Sequence, residues 1–457
     1  MVTEGKQMSR PMTDPVHIAQ KHSFRKWMLV LLCILSVLAG CSPEQGKGVV
    51  SGHPSGSGSK SASMAAANAA WRSALSGGDT VPVQGQLTVG PDIIEAENGT
   101  IPATKLLLQQ GDNQIRVLSG WGWYEIDSFI LTPVPVNPVP SVASDPVDSG
   151  ASAAARSLMH YLADQYGKFI LSGQTDLGNV SWIYYQTGKK PALVALDMMD
   201  YSPSRVERGT SSKAVEDAIA WARQGGIVSF QWHWNSPSGL VDQPGKEWYK
   251  GFYSNATTFD LATALSSPGS ESYNLLLRDM DAIAMQLKRL AEEGIPVLWR
   301  PLHEAGGKWF WWGAKGAEPC KALYRLMYQR FTSYHGLHNL IWVWSTPEAA
   351  WYPGDDVVDI VGYDSYPEGG DYSPVINRFE QLSAVVGDRK IVAMTENGPI
   401  PDPDLLAATG AHWSWFCTWS GFNSDIKQND PSHVKKVFQH PYVITLDELP
   451  DVRNYPY

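Results

Sequence analysis

The chain has 457 residues, room for one to three domains at roughly 150 residues each, and 43% hydrophobic and 18% charged content describes a globular protein. Against 46 acidic residues stand 36 basic ones, a formal charge of −10 with no Lys or Arg block, so nothing prepares the surface for nucleic acid or another polyphosphate. The outlier is tryptophan: there are 19, and thirteen lie between Trp232 and Trp419.

At the amino terminus Arg25 and Lys26 precede an apolar run of twelve residues, "MLVLLCILSVLA", which is short for a permanent membrane span. It ends in "LAGC", residues 38–41, which resembles the lipobox of bacterial lipoproteins. The resemblance implies that residues 1–41 are an export signal and that Cys41 takes a lipid anchor into the membrane. An ordinary secretory peptide is the alternative. Ser42 stands where inner-membrane retention signals carry Asp, which implies an outer-membrane or cell-surface destination. Cys33 falls within the signal, leaving Cys320 and Cys417 as either a disulfide or two buried thiols.

Residues 42–68, rich in Gly and Ser, read as a flexible tether. Residues 69–131 have a strand-like pattern, and "IIEAENGT" and "GDNQIRVLSGWGWYEIDSFIL" resemble pieces of the family 35 carbohydrate-binding modules. The strands between those pieces are mostly missing, so a small β-rich packing element is the alternative to a module that binds sugar or calcium. Residues 132–150, "TPVPVNPVPSVASDPVDSG", form a Pro-rich, semi-extended linker.

From residue 151 to 457 short apolar runs alternate with helical stretches. Eight strands are predicted: "KFILSGQ" from Lys168, "PALVALDM" from Pro191, "IVSFQWHW" from Ile227, "PVLWRPLHE" from Pro296, "LIWVWS" from Leu340, "IVGYDSY" from Ile360, "KIVAMTENG" from Lys390 and "HWSWFCTWS" from His412. Between them "SKAVEDAIAWARQGG" and "YNLLLRDMDAIAMQLKRLAEEG" repeat apolar residues at three and four and end on Gly. The fold class expected is α/β, a (β/α)8 TIM barrel preceded by the small β-rich segment, since such barrels span about 250 residues.

A barrel's active site lies at the carboxyl ends of its strands. Here the runs end in Gln174, Asp197, His233 with Trp234, His303 with Glu304, Ser345, Asp364 with Tyr366, Glu396 with Asn397, and Trp415 with Trp419. Carboxylates, His and Trp at one mouth suit glycosidic cleavage, which needs one acid to protonate the leaving oxygen and one carboxylate to attack or to activate water. Glu304 and Glu396, ending strands 4 and 7, face each other across a closed barrel. Carboxyls about 5 Å apart give retention, and a gap of about 7 to 9 Å gives inversion.

On "RPLHEAGGKWFWWG", "GYDSY" and "TENG" the chain resembles glycoside hydrolase family 26, chiefly its endo-β-1,4-mannanases, from about residue 173 to 422. The resemblance implies an endo-acting, retaining hydrolase of mannan, glucomannan or galactomannan, with Glu304 as acid/base and Glu396 as nucleophile. It implies that His303 contacts the sugar and supports Glu304, that Arg300 holds the nucleophile's surroundings, and that His233, Trp309, Asp364, Tyr366 and Trp419 line the subsites. Trp415 and Phe310 are candidates for the cleft wall. Ala305 stands where many bacterial members carry a polar residue.

No metal is expected, because Gly307 occupies the place four residues after His303 where a zinc helix needs a second His. No cofactor is expected either, and the chain is expected to act as a monomer. The alternatives are a β-1,3-xylanase or mixed-linkage β-glucanase of the same family and, from another class, a non-catalytic glycan-binding lipoprotein.

Overall fold

The computed structural model describes residues 136–457, with the backbone of three earlier strands, Gly85–Val89, Asp92–Glu95 and Ile115–Ser119. Those three pair antiparallel with Gly85–Val89 in the middle. The expected export signal, Cys41, the Gly/Ser tether and the rest of the 69–131 segment lie outside the described residues.

Seven parallel strands run in chain order around one sheet: β1 (Gly173–Thr175), β2 (Leu193–Asp197), β3 (Ile227–Gln231), β4 (Val297–Arg300), β5 (Leu340–Trp344), β6 (Ile360–Ser365) and β7 (Ile391–Asn397). The eighth predicted strand closes the ring by single bridges, Leu171 with Trp415 on one side and Asn397 with Thr418 on the other. Ser414 N–H donates to Val392 O at 2.8 Å and Phe416 N–H to Leu171 O at 3.1 Å, so successive residues of this segment serve alternate neighbours. Strands β3, β4, β5 and β7 are buried throughout, as a sheet filled inside and covered outside by helices requires.

The covering helices follow their sequence signals. In α1 (Ala153–Gln165) the Ser152 hydroxyl caps Ala155 N–H. In α2 (Glu271–Glu292) Ser270 caps Tyr273 N–H, and Leu276, Met280, Ile283, Ala284, Leu287 and Leu290 form one buried stripe. Cys320, on α3 (Ala317–Gln329), and Cys417, in the closing segment, are both buried free thiols, which decides between the two alternatives for that pair.

Residues 136–150 adopt no helix or strand, but they lie along the barrel as a strap. Ala143 N–H donates to Arg389 O at 2.9 Å, Val147 N–H to Asp359 Oδ1 at 2.6 Å, and Asp148 Oδ2 pairs with His338 Nδ1 at 2.7 Å.

Candidate active site

Beyond β4 the chain turns sharply. Leu302, Glu304 and Lys308 all take left-handed backbone angles, at φ of 54°, 53° and 61°. For residues other than Gly such angles cost roughly 1–3 kcal/mol each and persist only where neighbours enforce them. The neighbours belong to β5 and its loop: Glu304 N–H donates to Ser345 O at 3.1 Å, and Ala305 N–H to Thr346 Oγ1 at 3.0 Å. Gly313 closes the turn, because a Cβ there would stand 2.1 Å from Ala305 O. The result lifts the Glu304 carboxyl over the mouth, where Trp309 Nε1 donates to its Oε2 at 2.9 Å.

Glu396, near the end of β7, is held differently. Arg300 Nη2 donates to its Oε1 and Tyr366 Oη to its Oε2, the latter at 2.5 Å, so both oxygens accept. The same guanidinium donates through Nη1 to Asp364 Oδ2 at 2.8 Å and Ser345 Oγ at 3.0 Å, and through Nη2 to Gln231 Oε1. Thr395 Oγ1 donates to the other Asp364 oxygen at 2.6 Å. One carboxylate oxygen each from Glu304, Asp364 and Glu396 lies within 4.8 Å of the others. A guanidinium bonded to two of these three carboxylates already supplies the cation they call for.

These surroundings set the proton affinities. Burial pushes the Glu304 carboxyl well above the usual range, and the Asp364 and Glu396 charges push it further. Burial also raises Asp364, to about 7, with Arg300 opposing and Glu396 adding. His303 is driven well down by burial, then by Arg300 and His233, and so is a neutral ring. Burial of Asp197 is outweighed by His233, whose ring and backbone N–H both donate to it, and its pKa is lowered.

Of the expected site residues, Glu304, Glu396, Arg300, Asp364, Tyr366, His233, Trp309 and Trp419 gather at the mouth. Trp309 is 40% exposed. The His233 ring lies 6.0 Å from that of Trp419. Three other expected site residues are buried. His303 is 1% exposed, its Nε2 lies 3.2 Å from His233 Nε2 and its Nδ1 is buried. Phe310 is buried and stacks on Trp312 with centroids 4.5 Å apart, under the two histidines. Trp415 is 2% exposed, held between Leu171, with which it bridges, and β7, whose Met394 N–H donates to its carbonyl at 2.9 Å. Gln231 was missed and Asp197 had no role. The signal for Gln231 is an amide in a strand, "IVSFQ", whose other residues are apolar but for Ser229.

The family model described as Glycosyl hydrolase family 26 matches residues 147–448. A mannan endo-1,4-beta-mannosidase of Thermothelomyces thermophilus is 51% identical over 350 residues, 76% of this chain and 72% of that protein. Mannan endo-1,4-beta-mannosidase B of Piromyces sp is 36% identical over 373 residues, 77% of this chain and 62% of that protein. The solved GH26-CBM35 beta-(1,4)-mannanase of Podospora anserina superposes with a TM-score of 0.71 at 46% identity, covering 81% of this chain and 85% of that one. The chain belongs to glycosyl hydrolase family 26.

Proposed function

We propose that the chain is an endo-acting, retaining β-1,4-mannanase in which Glu304 is the general acid/base and Glu396 the nucleophile. The spacing within 4.8 Å carries this reading. Two carboxyls about 5 Å apart leave no room for a water beneath the sugar, so the second must attack the anomeric carbon directly. Glu304, protonated because burial raises it, gives its proton to the leaving oxygen as the glycosidic C–O bond breaks. Glu396 forms the new bond to that carbon, and Arg300 and Tyr366 release charge from it as it does so. Glu304, now a carboxylate, then takes a proton from the water that cleaves the glycosyl ester.

Trp309 and Trp419 offer rings to the apolar faces of a neutral sugar. The names of the related enzymes point to mannan as the polymer. Reducing-end release from mannan, glucomannan and galactomannan, set against β-1,3-xylan and mixed-linkage glucan, tests the substrate, and sizing the products tests endo action. Glu396→Ala should lose several kcal/mol of barrier lowering, about 10³-fold or more in rate. Hydrolysis within about tenfold of the parent removes the assignment.

Residues 1–41 act as an export signal, and lipid on Cys41 anchors a monomeric enzyme to the outer membrane or cell surface. The twelve-residue apolar run and the Cys that follows "LAG" support this. Metabolic labelling with an alkyne fatty acid in a bacterial host should mark the parent and spare Cys41→Ser; equal labelling of both rules the anchor out. The 69–131 segment is a remnant of a family 35 module, a reading supported by the Podospora structure's pairing of GH26 with CBM35.

A further inference from the structure

We propose that Asp197, which touches neither catalytic glutamate, is a positioning residue for Glu396, acting through Gln231 and Arg300. The proposal rests on the reading of Glu396 as nucleophile. The last rungs of three neighbouring strands line up, Asp197 opposite Gln231 and Gln231 opposite Arg300. Along them runs a chain of polar contacts. Asp197 Oδ1 accepts from Met199 N–H at 2.8 Å and His233 N–H at 3.1 Å, while its Oδ2 accepts from His233 Nδ1 at 2.5 Å and Gln231 Nε2 at 3.3 Å. Gln231 Oε1 then accepts from Arg300 Nη2, the nitrogen that also bonds Glu396.

At 3.3 Å the Asp197–Gln231 contact is long, so its importance lies in polarity more than in strength. An amide has nearly the same shape after a half-turn but the opposite hydrogen-bonding sense. Arg300 can only donate, so it needs the Gln231 oxygen toward it. Asp197, an ionised carboxylate that can only accept, enforces that choice by drawing the NH2 group to itself. Gln231 is 1% exposed, which leaves little chance of correction by solvent.

Asp197→Asn reverses the sense with almost no change in shape. Two fixed backbone N–H groups face Oδ1, so the amide oxygen must stay there and the new NH2 must replace Oδ2. It then meets His233 and Gln231. His233 can respond by a paired change of tautomer: its proton moves from Nδ1 to Nε2, so that Nδ1 accepts, and His303, 3.2 Å beyond, moves its own from Nε2 to Nδ1, so that its Nε2 accepts in turn. The Gln231 branch cannot. If Gln231 flips to accept from Asn at 197, its NH2 faces the guanidinium, donor against donor, and Arg300 must shift away from Glu396. The histidine branch therefore absorbs the change and the Gln231 branch transmits it to the nucleophile.

The test uses the full chain with a mannan oligosaccharide, comparing Asp197→Asn, Glu396→Ala and the double variant Asp197→Asn/Gln231→Glu. In the double variant a carboxylate at 231 accepts from both the new amide and Arg300, restoring the pattern. A misplaced reacting group costs about 10²-fold, so Asp197→Asn should lower kcat by that factor with KM within about threefold. The double variant should recover at least about tenfold at the melting temperature of Asp197→Asn. A residue that merely stabilises the fold would show no such rescue. Parent-like kcat in Asp197→Asn, or a double variant no faster than the single, overturns the proposal. If Asp197→Asn does not fold, Gln231→Leu takes its place: it must lose kcat similarly, and parent-like turnover is equally fatal. Glu396→Ala separates the two levels: activity there defeats the nucleophile reading, whereas an inactive Glu396→Ala beside a parent-like Asp197→Asn defeats this proposal alone.

Discussion

Glu304 and Glu396 are the same residue type within 4.8 Å of each other, and their roles are divided by what surrounds each. Among the described residues the Glu304 carboxyl accepts from the Trp309 indole alone, whereas that of Glu396 accepts from a guanidinium and a phenol. Burial, then the charges of Asp364 and Glu396, raises the Glu304 pKa, so its proton is kept to a pH well above the carboxylate range. A general acid works only while protonated. Activity on mannan should therefore hold below this raised pKa and fall as pH rises through it. Glu304→Ala should lose about 10²- to 10⁴-fold on mannan. On a dinitrophenyl mannobioside, whose leaving group needs no proton, the first-step rate should stay near the parent's and the alkaline limb should vanish. Burst-phase pH profiles of both proteins on both substrates check this; an alkaline limb surviving in Glu304→Ala would assign it to another group.

At the scale of elements, the strand ends were legible and the turn after β4 was not. Each strand is an apolar run closed by a polar residue, and that one-dimensional pattern placed Asp197, Glu304, Asp364 and Glu396 at the mouth. The eighth run was recognised by its apolar content, but its single bridges to two neighbours depend on partners far along the chain. The left-handed angles at Leu302 and Glu304 left no local trace, since Gly, the usual marker, is absent from both positions. That turn decides which aromatics of "WFWWG" face the cleft: Trp309 points outward while Phe310, Trp311 and Trp312 pack inward. Wall and core draw on the same aromatic residue types, so composition could not separate Trp309 from Phe310, or Trp419 from Trp415. His303 and Glu304 are neighbours in sequence, but the turn gives the two side chains different partners, His233 and Trp309.

At the scale of the whole molecule, the prolines of residues 132–150 suggest extended chain, and extended chain can still be docked, as residues 136–150 are. Val147 N–H reaches Asp359, a buried carboxyl whose other oxygen accepts from the N–H of Trp342 in β5 at 2.7 Å, so the strap is tied to the barrel's own framework. Chains beginning at residue 136 and at residue 151 should therefore differ in stability. Removing the strap leaves Asp359 Oδ1 without a partner, worth about 1–3 kcal/mol where burial persists, whereas Arg389 O and the exposed His338 ring turn to water. At about 2 °C per kcal/mol for a barrel of this size, the melting temperature should fall by roughly 2 to 6 °C. The loss should also depend on pH. Burial lifts Asp359 to about 6, against the two backbone N–H groups that lower it. An acid raised on folding is most favourable below its unfolded pKa near 4, and that advantage fades as pH climbs through the folded value. Where burial persists, losing the Val147 N–H raises the folded pKa and losing the Asp148 charge lowers it by less, so charging Asp359 costs the shorter chain more, and the gap in melting temperature should widen from pH 5 to pH 7. Equal melting temperatures would mean that the strap merely rests on the surface; a constant gap would mean that its hold is independent of Asp359.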